Sequence, residues 1–578
     1  MVKERIDPWF SFRIKTIFVF VLFCMAGLGV RLYYIQIENK QFYQKKAEHQ
    51  QIVRVEIGAK RGTINDVNGM GIASTEKSVT VCLIPHELND NVDCVSMIAD
   101  LLRMDPDVIR RKIASGKKCV YLKRKIPESL ARRIRELNIP GIDFEFESKR
   151  TYPNERLFCH VAGFAGIDNE GLEGLEYYYD VLLTGKRGFQ EINRNALSST
   201  GSFIRSKGSY IPQKDGADIY LTLDGYIQGI TAEVIRGLYS TYSPEWVSAV
   251  VMDPRNGRIL AMANMPDFLP SRFYAYPADV RRNRTVTDMY EPGSVMKIFT
   301  ASAAIEEGLD PEETLFDCEE GYFVYKGREL HDHDLYGKMN LRDIIVHSSN
   351  IGMAKIGIYL GKKKLHSHLY RFGFSRRTGI GFPGEQSGYL RPVQTWDSFT
   401  LTSVPMGHEI TCTSLQVAAA ASAIVNGGIL YRPRLVDRIA DSRGRLIRKF
   451  RPEKVRRVIS EKTSITMKDI MKDVVDRGTG RKAQIPGIEV GGKTGTAQLL
   501  VADPVTGEKR YSDEAYMASF CGFAPVCSPK ICIIISVKHP KGDVYYGGSV
   551  AAPAVSRIIH KTLDYISEPV MTYTAVKQ

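Results

Sequence analysis

The stretch EPGSVMKIFT, residues 291–300, sets a serine directly behind a Pro-Gly pair and a lysine three residues further on, inside an otherwise apolar run. Pro292 and Gly293 break the preceding chain, so Ser294 falls at a helix start, where a serine hydroxyl can satisfy free backbone amides. Residues three apart share one helical face, about 5–6 Å between Cβ atoms, which brings Lys297 within reach of Ser294. A serine hydroxyl is a poor nucleophile until a neighbour takes its proton. Lysine serves as that base once desolvation or nearby cations depress its pKa. Val295, Met296, Ile298 and Phe299 supply the apolar surroundings. Standing alone, the pattern also fits a capping serine beside a snorkelling lysine, and it is short enough to recur by chance.

Two clusters downstream change that balance. HSSNIGMAKIG, from residue 347, puts Ser348, Ser349 and Asn350 at a helix start, and GGKTGTAQ, residues 491–498, puts Lys493, Thr494, Gly495 and Thr496 on a strand. Strand alternation places Thr494 and Thr496 on one face and Lys493 on the other. For Lys493 to join the same cluster, either the strand twists near Gly495 or the side chain reaches around an edge.

The 578 residues exceed what one core organises, and 44% of them are hydrophobic, so several domains are expected. WVSAVVMDPRNGRILAMAN, residues 246–264, reads as a hairpin turning at DPRNG. SLQVAAAASAIVNGG, residues 414–428, reads as a helix ending in a glycine signal. Strands return in GIEVGGKTGTAQ and KICIIISV, and APAVSRIIHKTLDYI closes as an amphipathic helix. This order predicts a sheet whose first and last strands flank a helical block. In the N-terminal half, residues 38 to about 50 read as a polar helix, IVRVEIGAKRGTI and SVTVCLI as strands, and residues 91–138 as helical and rich in arginine and lysine. Residues 186–218 read as an irregular connection, and the boundary between the two halves is expected near residue 225.

Residues 16–30, TIFVFVLFCMAGLGV, carry no charge but span only about 22 Å as a helix against a hydrocarbon core of about 30 Å. Continuing to Ile37 closes the gap, with Arg31 snorkelling and Tyr33 and Tyr34 at the interface. Lys3, Arg5, Arg13 and Lys15 precede the span, which puts the N-terminus in the cytoplasm and the rest of the chain outside. Bulky residues in GVRLYYIQ argue against cleavage as a signal peptide. The net charge of +14 favours anionic surroundings, but no basic run or aromatic-basic array points to nucleic acid. The ten cysteines form no C-x-x-C pair. Cys521, Cys527 and Cys532 leave a disulfide open, but isolated buried thiols are the expected reading. HDHD, residues 331–334, lacks a third ligand nearby and reads as a polar loop rather than a metal site.

The order S-x-x-K, S-x-N, K-T-G is the set shared by penicillin-binding proteins and serine β-lactamases. RNRTVTDMYEPGSVMK resembles the class B penicillin-binding proteins, especially the division-specific transpeptidases of the FtsI family. RGTINDVNGMGIAS, RTYPNERLFCHVAGF and GLEGLEYYYD resemble that family's pedestal motifs, and GTGRKAQIPGIEVGGKTGTAQ and YYGGSVAAP its C-terminal signatures. Val295 stands where threonine is common and Gly491 where alanine is. The resemblance implies a mixed α/β (α+β) architecture in five segments. These are a cytoplasmic N-terminus (1–15), a transmembrane anchor (16–37), an elongated, mostly β pedestal (38–225), a penicilloyl-serine transferase domain with a sheet flanked by helices (226–565) and a tail (566–578). It implies acyl transfer on the D-alanyl-D-alanine end of peptidoglycan stem peptides at the septum, with β-lactams as inhibitors and no cofactor or metal. Ser294 would be the nucleophile and Lys297 the base. Ser348 would relay a proton under the influence of Lys493, and Asn350 would position the substrate amide. The amides of Ser294 and Thr496 would hold the oxyanion, with Thr494, Gly495 and Thr496 binding the terminal carboxylate. The catalytic domain would face the periplasmic side of the inner membrane, working with a multi-pass polymerase and other division proteins. A D,D-carboxypeptidase, a non-catalytic division scaffold and a signalling β-lactam receptor are the competing readings. The pedestal weighs against the first, the intact reactive residues against the second, and a cytoplasmic segment of about a dozen residues against the third.

Overall fold

The computed structural model describes residues 8–88, 92–193, 209–502 and 508–567. The lysine and arginine expected at positions 3 and 5, and most of the expected C-terminal tail, lie outside the described residues. The chain divides into two compact units, Met1–Ala59 with Lys186–Lys214, and Lys60–Gly185 with Asp215–Gln578.

The first unit begins with the helix Pro8–Tyr33, continued by a wider turn at Tyr34–Glu38. It is long and apolar enough to cross a membrane. The polar helix Lys40–Gln51 follows, as its composition predicts, and leads into the strand Ile52–Ile57. Residues 186–218 are not the irregular connection expected. Gly188–Asn193 pairs antiparallel with Ile52–Ile57, and Tyr210–Ile211 adds a third strand. The pairing joins segments more than a hundred residues apart; Ile52–Ile57 is the strand its alternation predicts, whereas GFQEIN is not apolar enough to announce its partner. Residues 194–208 within the expected connection lie outside the described residues.

The second unit contains a seven-stranded sheet in which Gly71–Leu83 pairs with both Val120–Ile126 and Ile142–Thr151. Val120–Ile126 corrects the helical reading of residues 91–138. Helices do occupy Val92–Leu102, Pro106–Ile113 and Glu128–Glu136, but VYLKRKI is a strand that buries Leu122 and Ile126, four residues apart on one face. The same sheet runs on through Ile64–Asn65 and Asp218–Leu221 into Val436–Ala440.

Three N-terminal motifs converge on one buried carboxylate. Glu176 is fully buried and accepts from Arg61 Nε at 2.7 Å and Arg150 Nε at 2.6 Å, while Arg61 Nη1 donates to Asp180 at 2.6 Å. Removing one partner of such a cluster leaves uncompensated charge in the core. Glu176→Gln is therefore expected to lower unfolding stability by about 3–5 kcal/mol. A denaturant midpoint unchanged from the parent would show that the arginines are satisfied without it.

The C-terminal part is built on a five-stranded antiparallel sheet of β1 (Trp246–Asp253), β2 (Arg258–Met265), β3 (Gly491–Ala502), β4 (Lys509–Ala524) and β5 (Ile531–Lys538), in the order β2-β1-β5-β4-β3. The first two and last three strands thus enclose the helical block in sequence, as the pattern predicts. Alternate residues enter different cores. Val247, Ala249 and Val251 face α1 (Gly225–Tyr242) and the C-terminal helix Ala552–Ser567, while Val250 and Met252 join the large core of the helical block. That block includes α2 (Lys297–Glu306), α3 (Leu341–His347), α4 (Asn350–Arg371) and α5 (Ser414–Val425). Cys521 and Cys532 are buried in the sheet, but Cys527 is exposed, because it lies in the turn between β4 and β5.

Candidate active site

The nucleophile motif is wound more tightly than an α-helix at its start. Gly293–Met296 is a 3-10 turn leading into α2, and side chains at i and i+3 eclipse in that geometry, so Ser294 and Lys297 point along one line. The Ser294 hydroxyl does not cap the helix, contrary to the sequence expectation. It makes no hydrogen bond among the described residues. As a first-turn residue its amide also has no intrahelical acceptor. The turn presses against the edge strand β3. A Cβ on Gly495 would meet Pro292 O and Val295 Cγ2 at 2.9 Å and Ser519 Oγ at 2.4 Å, so this strand position admits only glycine without a shift.

Lys297 is fully buried. Its Nζ donates to Ser348 O at 2.6 Å, Asn350 Oδ1 at 2.8 Å, and Ser348 Oγ and Ser349 O at 3.2 Å. No hydrogen bond joins it to Ser294. Burial lowers its pKa to about 7, although the Asp332 carboxylate acts in the opposite direction. Ser348 makes this convergence possible. It ends α3 in the left-handed region at φ 66°, a conformation costing a non-glycine residue about 1–3 kcal/mol, and this turns its carbonyl and hydroxyl toward the lysine.

Lys493 approaches from the other side. Its Nζ donates to Ser348 Oγ at 2.9 Å and to Thr494 O at 3.3 Å, so the lysine folds back across its own strand at the sheet edge. Because β3 is the edge strand, no neighbouring strand obstructs that path. Lys493 is fully buried, and burial together with the charge of Lys297 pushes its pKa well down. One hydroxyl is thus shared by two depressed lysines. Thr494 Oγ1 pairs with Thr479 Oγ1 at 2.8 Å, and Thr496 Oγ1 accepts from the Gly547 amide at 3.1 Å. The structure therefore gathers Lys297, Ser348, Asn350, Lys493 and Thr494 into one bonded network, with Ser294 on the eclipsed position of the same turn and Thr496 beside it on β3.

Asp332 and Thr479 were missed. Asp332 belongs to the HDHD stretch, which is more than a polar loop. Its carboxylate accepts from the Ser349 hydroxyl at 2.5 Å, from the Asn350 amide and from the Ile351 amide at 3.1 Å, capping α4 from outside the helix. The adjacent His331 carbonyl accepts from Asn350 Nδ2 at 3.1 Å, which leaves Asn350 Oδ1 facing Lys297. The signal was an aspartate that no local pattern explained. Its partners lie 17 to 19 residues away, beyond any capping template.

Residues 499–516 are the distal part of the β3–β4 hairpin, and residues 503–507 lie outside the described residues. Tyr511 from this hairpin donates to Glu291 at 3.1 Å, immediately before the nucleophile turn.

The family described as "Penicillin binding protein transpeptidase domain" matches residues 247–560, and "Penicillin-binding Protein dimerisation domain" matches residues 56–221. Stage V sporulation protein D of Bacillus subtilis is 33% identical over 558 residues, covering 95% of this chain and 85% of its own. Peptidoglycan D,D-transpeptidase FtsI of Escherichia coli K12 is 27% identical over 565 residues, covering 96% and 92%. The crystal structure of penicillin binding protein 3 from Mycobacterium tuberculosis complexed with aztreonam aligns with a TM-score of 0.68 at 27% identity, covering 89% of this chain and 98% of that one.

Proposed function

The chain belongs to the class B penicillin-binding proteins, as a serine peptidoglycan D,D-transpeptidase with a dimerisation domain, and on that premise we propose how its residues perform the reaction and where. Ser294 attacks the penultimate carbonyl of a stem peptide ending in D-alanyl-D-alanine as neutral Lys297 takes its proton. The negative charge on the tetrahedral oxygen is held by the amides of Ser294 and Thr496. Ser348 passes a proton to the leaving D-alanine amine, Lys493 keeps that hydroxyl in a positive potential, and an amine from a neighbouring stem peptide then resolves the acyl-enzyme. Asn350 orients the substrate amide, and Thr494, Gly495 and Thr496 receive the terminal carboxylate.

The observation that supports this reading most is the Ser348 hydroxyl held between Lys297 and Lys493, at 3.2 and 2.9 Å. A base near its neutral form and a second amine donating to the same hydroxyl supply the contacts a proton relay requires. Incubation with a stem-peptide donor and an amine acceptor tests it. Crosslinked dimer is the expected product, and hydrolysed donor alone would instead support a D,D-carboxypeptidase.

The site of action is proposed as the division septum, with Pro8–Tyr33 as a single-pass anchor, the N-terminus cytoplasmic and the catalytic domain outside. Arg13 and Lys15 at the start of that helix support the orientation. Strand polymerisation would come from a multi-pass partner and other division proteins. A second reading, wall synthesis during sporulation, is favoured by the 33% identity to the sporulation protein against 27% to FtsI. Depletion separates them, since only the septal role predicts filamentous growth in vegetative cells.

A further inference from the structure

Many arginines among the described residues meet carboxylates; Arg342, for example, pairs with Glu312, Asp469 and Asp473 at 2.7 to 2.9 Å. A group beyond the C-terminal end of α4 does not. A shallow open groove is floored by Phe372 and Leu430 and rimmed by Val455, Arg376, Arg377, Arg432 and Arg456. Arg432 pairs with Glu453 at 2.9 Å. Among the described residues, no carboxylate lies within ion-pair distance of Arg376, Arg377, Arg456 or the neighbouring Arg371. Glu385 is 8% exposed and accepts from the Thr378 amide and hydroxyl at 2.6 and 2.5 Å.

The cations take neutral partners instead. The Arg376 guanidinium lies 3.8 Å from the centre of the Tyr370 ring, and Arg456 Nη1 reaches only the Arg371 carbonyl at 3.5 Å. Burial, then the charges of Arg376 and Arg371, lower the proton affinity of Arg456 below that of an ordinary arginine. Like charges held together without counter-ions raise the free energy of the empty surface, and a bound anion recovers that energy. Guanidinium forks match carboxylates in bidentate geometry, and the apolar floor suits the aliphatic parts of a peptide.

We propose that this groove docks the carboxylates of acidic stem peptides on an uncrosslinked peptidoglycan strand, as a site separate from the cleft that holds Ser294. The proposal rests on the transpeptidase reading, which supplies a polycarboxylate strand as the partner. A strand held at two points is retained at an effective concentration that a single acyl-enzyme contact does not provide.

The test uses the full-length protein in detergent, acylated with penicillin so that the cleft is closed, and measures binding of uncrosslinked strands with native or amidated carboxyl groups. The acylated parent is expected to bind native strands in a salt-sensitive manner. The double variant Arg376→Gln/Arg456→Gln is expected to bind them at least about tenfold more weakly, with its rate of penicillin acylation unchanged. Equal binding by the variant, or equal binding of amidated strands, overturns the proposal. So does binding of a phosphodiester polymer in place of the strands. If penicillin does not acylate the parent at all, it is the transpeptidase reading that fails, a result visible before any strand is added.

Discussion

Ser294→Ala is expected to eliminate the covalent penicillin adduct and to lower crosslinking by about 10⁴-fold or more, the scale on which loss of a serine nucleophile acts. Ser294 sits in a 3-10 turn with its hydroxyl free of hydrogen bonds, in line with Lys297 and against the edge strand that carries Thr496. Because that hydroxyl caps nothing, its removal leaves no orphaned partner. The thermal unfolding of the variant is expected to match the parent within roughly 1 kcal/mol. The combination distinguishes chemistry from folding. Intact-mass spectrometry after penicillin, with peptide mapping, reads the adduct directly, and an adduct persisting in Ser294→Ala would remove this serine from the mechanism.

How much of this was legible beforehand depended on distance along the chain. Ser294 and Lys297 are three residues apart, so a single turn brings them together and the sequence shows it. The sheet of β1 to β5 could be anticipated because its hairpins and apolar strands each carry a local signal, such as DPRNG between β1 and β2. Whether Lys493 joins the cluster through a twist or around an edge could not be read, since it depends on β3 lying last in the sheet order, a property of the whole domain. Asp332 was hidden for the same reason, as its role exists only once α4 has been placed beside it. Ile52–Ile57 shows its alternation in the sequence, but its partner Gly188–Asn193 lies more than a hundred residues away in a stretch with no hydrophobic pattern strong enough to mark it. Val120–Ile126 was masked by Lys123, Arg124 and Lys125, an uninterrupted half-buried charged run between buried Leu122 and Ile126.

Lys297→Met should lower the rate of acylation by roughly 10²–10⁴-fold, the usual contribution of a general base, and should also remove the acidic limb of the pH profile. Methionine is close to lysine in length and apolar, so it suits a fully buried position, although Ser348 O, Ser349 O and Asn350 Oδ1 lose their shared donor. The sign of the pH effect follows from which form reacts. Only the neutral amine accepts the serine proton, and burial places the Lys297 pKa at about 7. Acylation by the parent should therefore be level above that pH and fall about tenfold per unit below it. Asp332 opposes the burial effect, so Asp332→Asn should move the limb to lower pH. The same substitution weakens the acceptor that holds the Ser349 hydroxyl and the first amides of α4, so the plateau rate should drop as well. A merely structural role for Asp332 predicts the lower plateau without the shift of the limb. In Lys297→Met the nearest cation to Lys493 is gone, which lets its depressed pKa rise, so any residual acylation should depend on pH differently from the parent. Second-order acylation rates measured from pH 5 to 9 decide the matter. An acidic limb near pH 7 that survives in Lys297→Met would assign the base to another group.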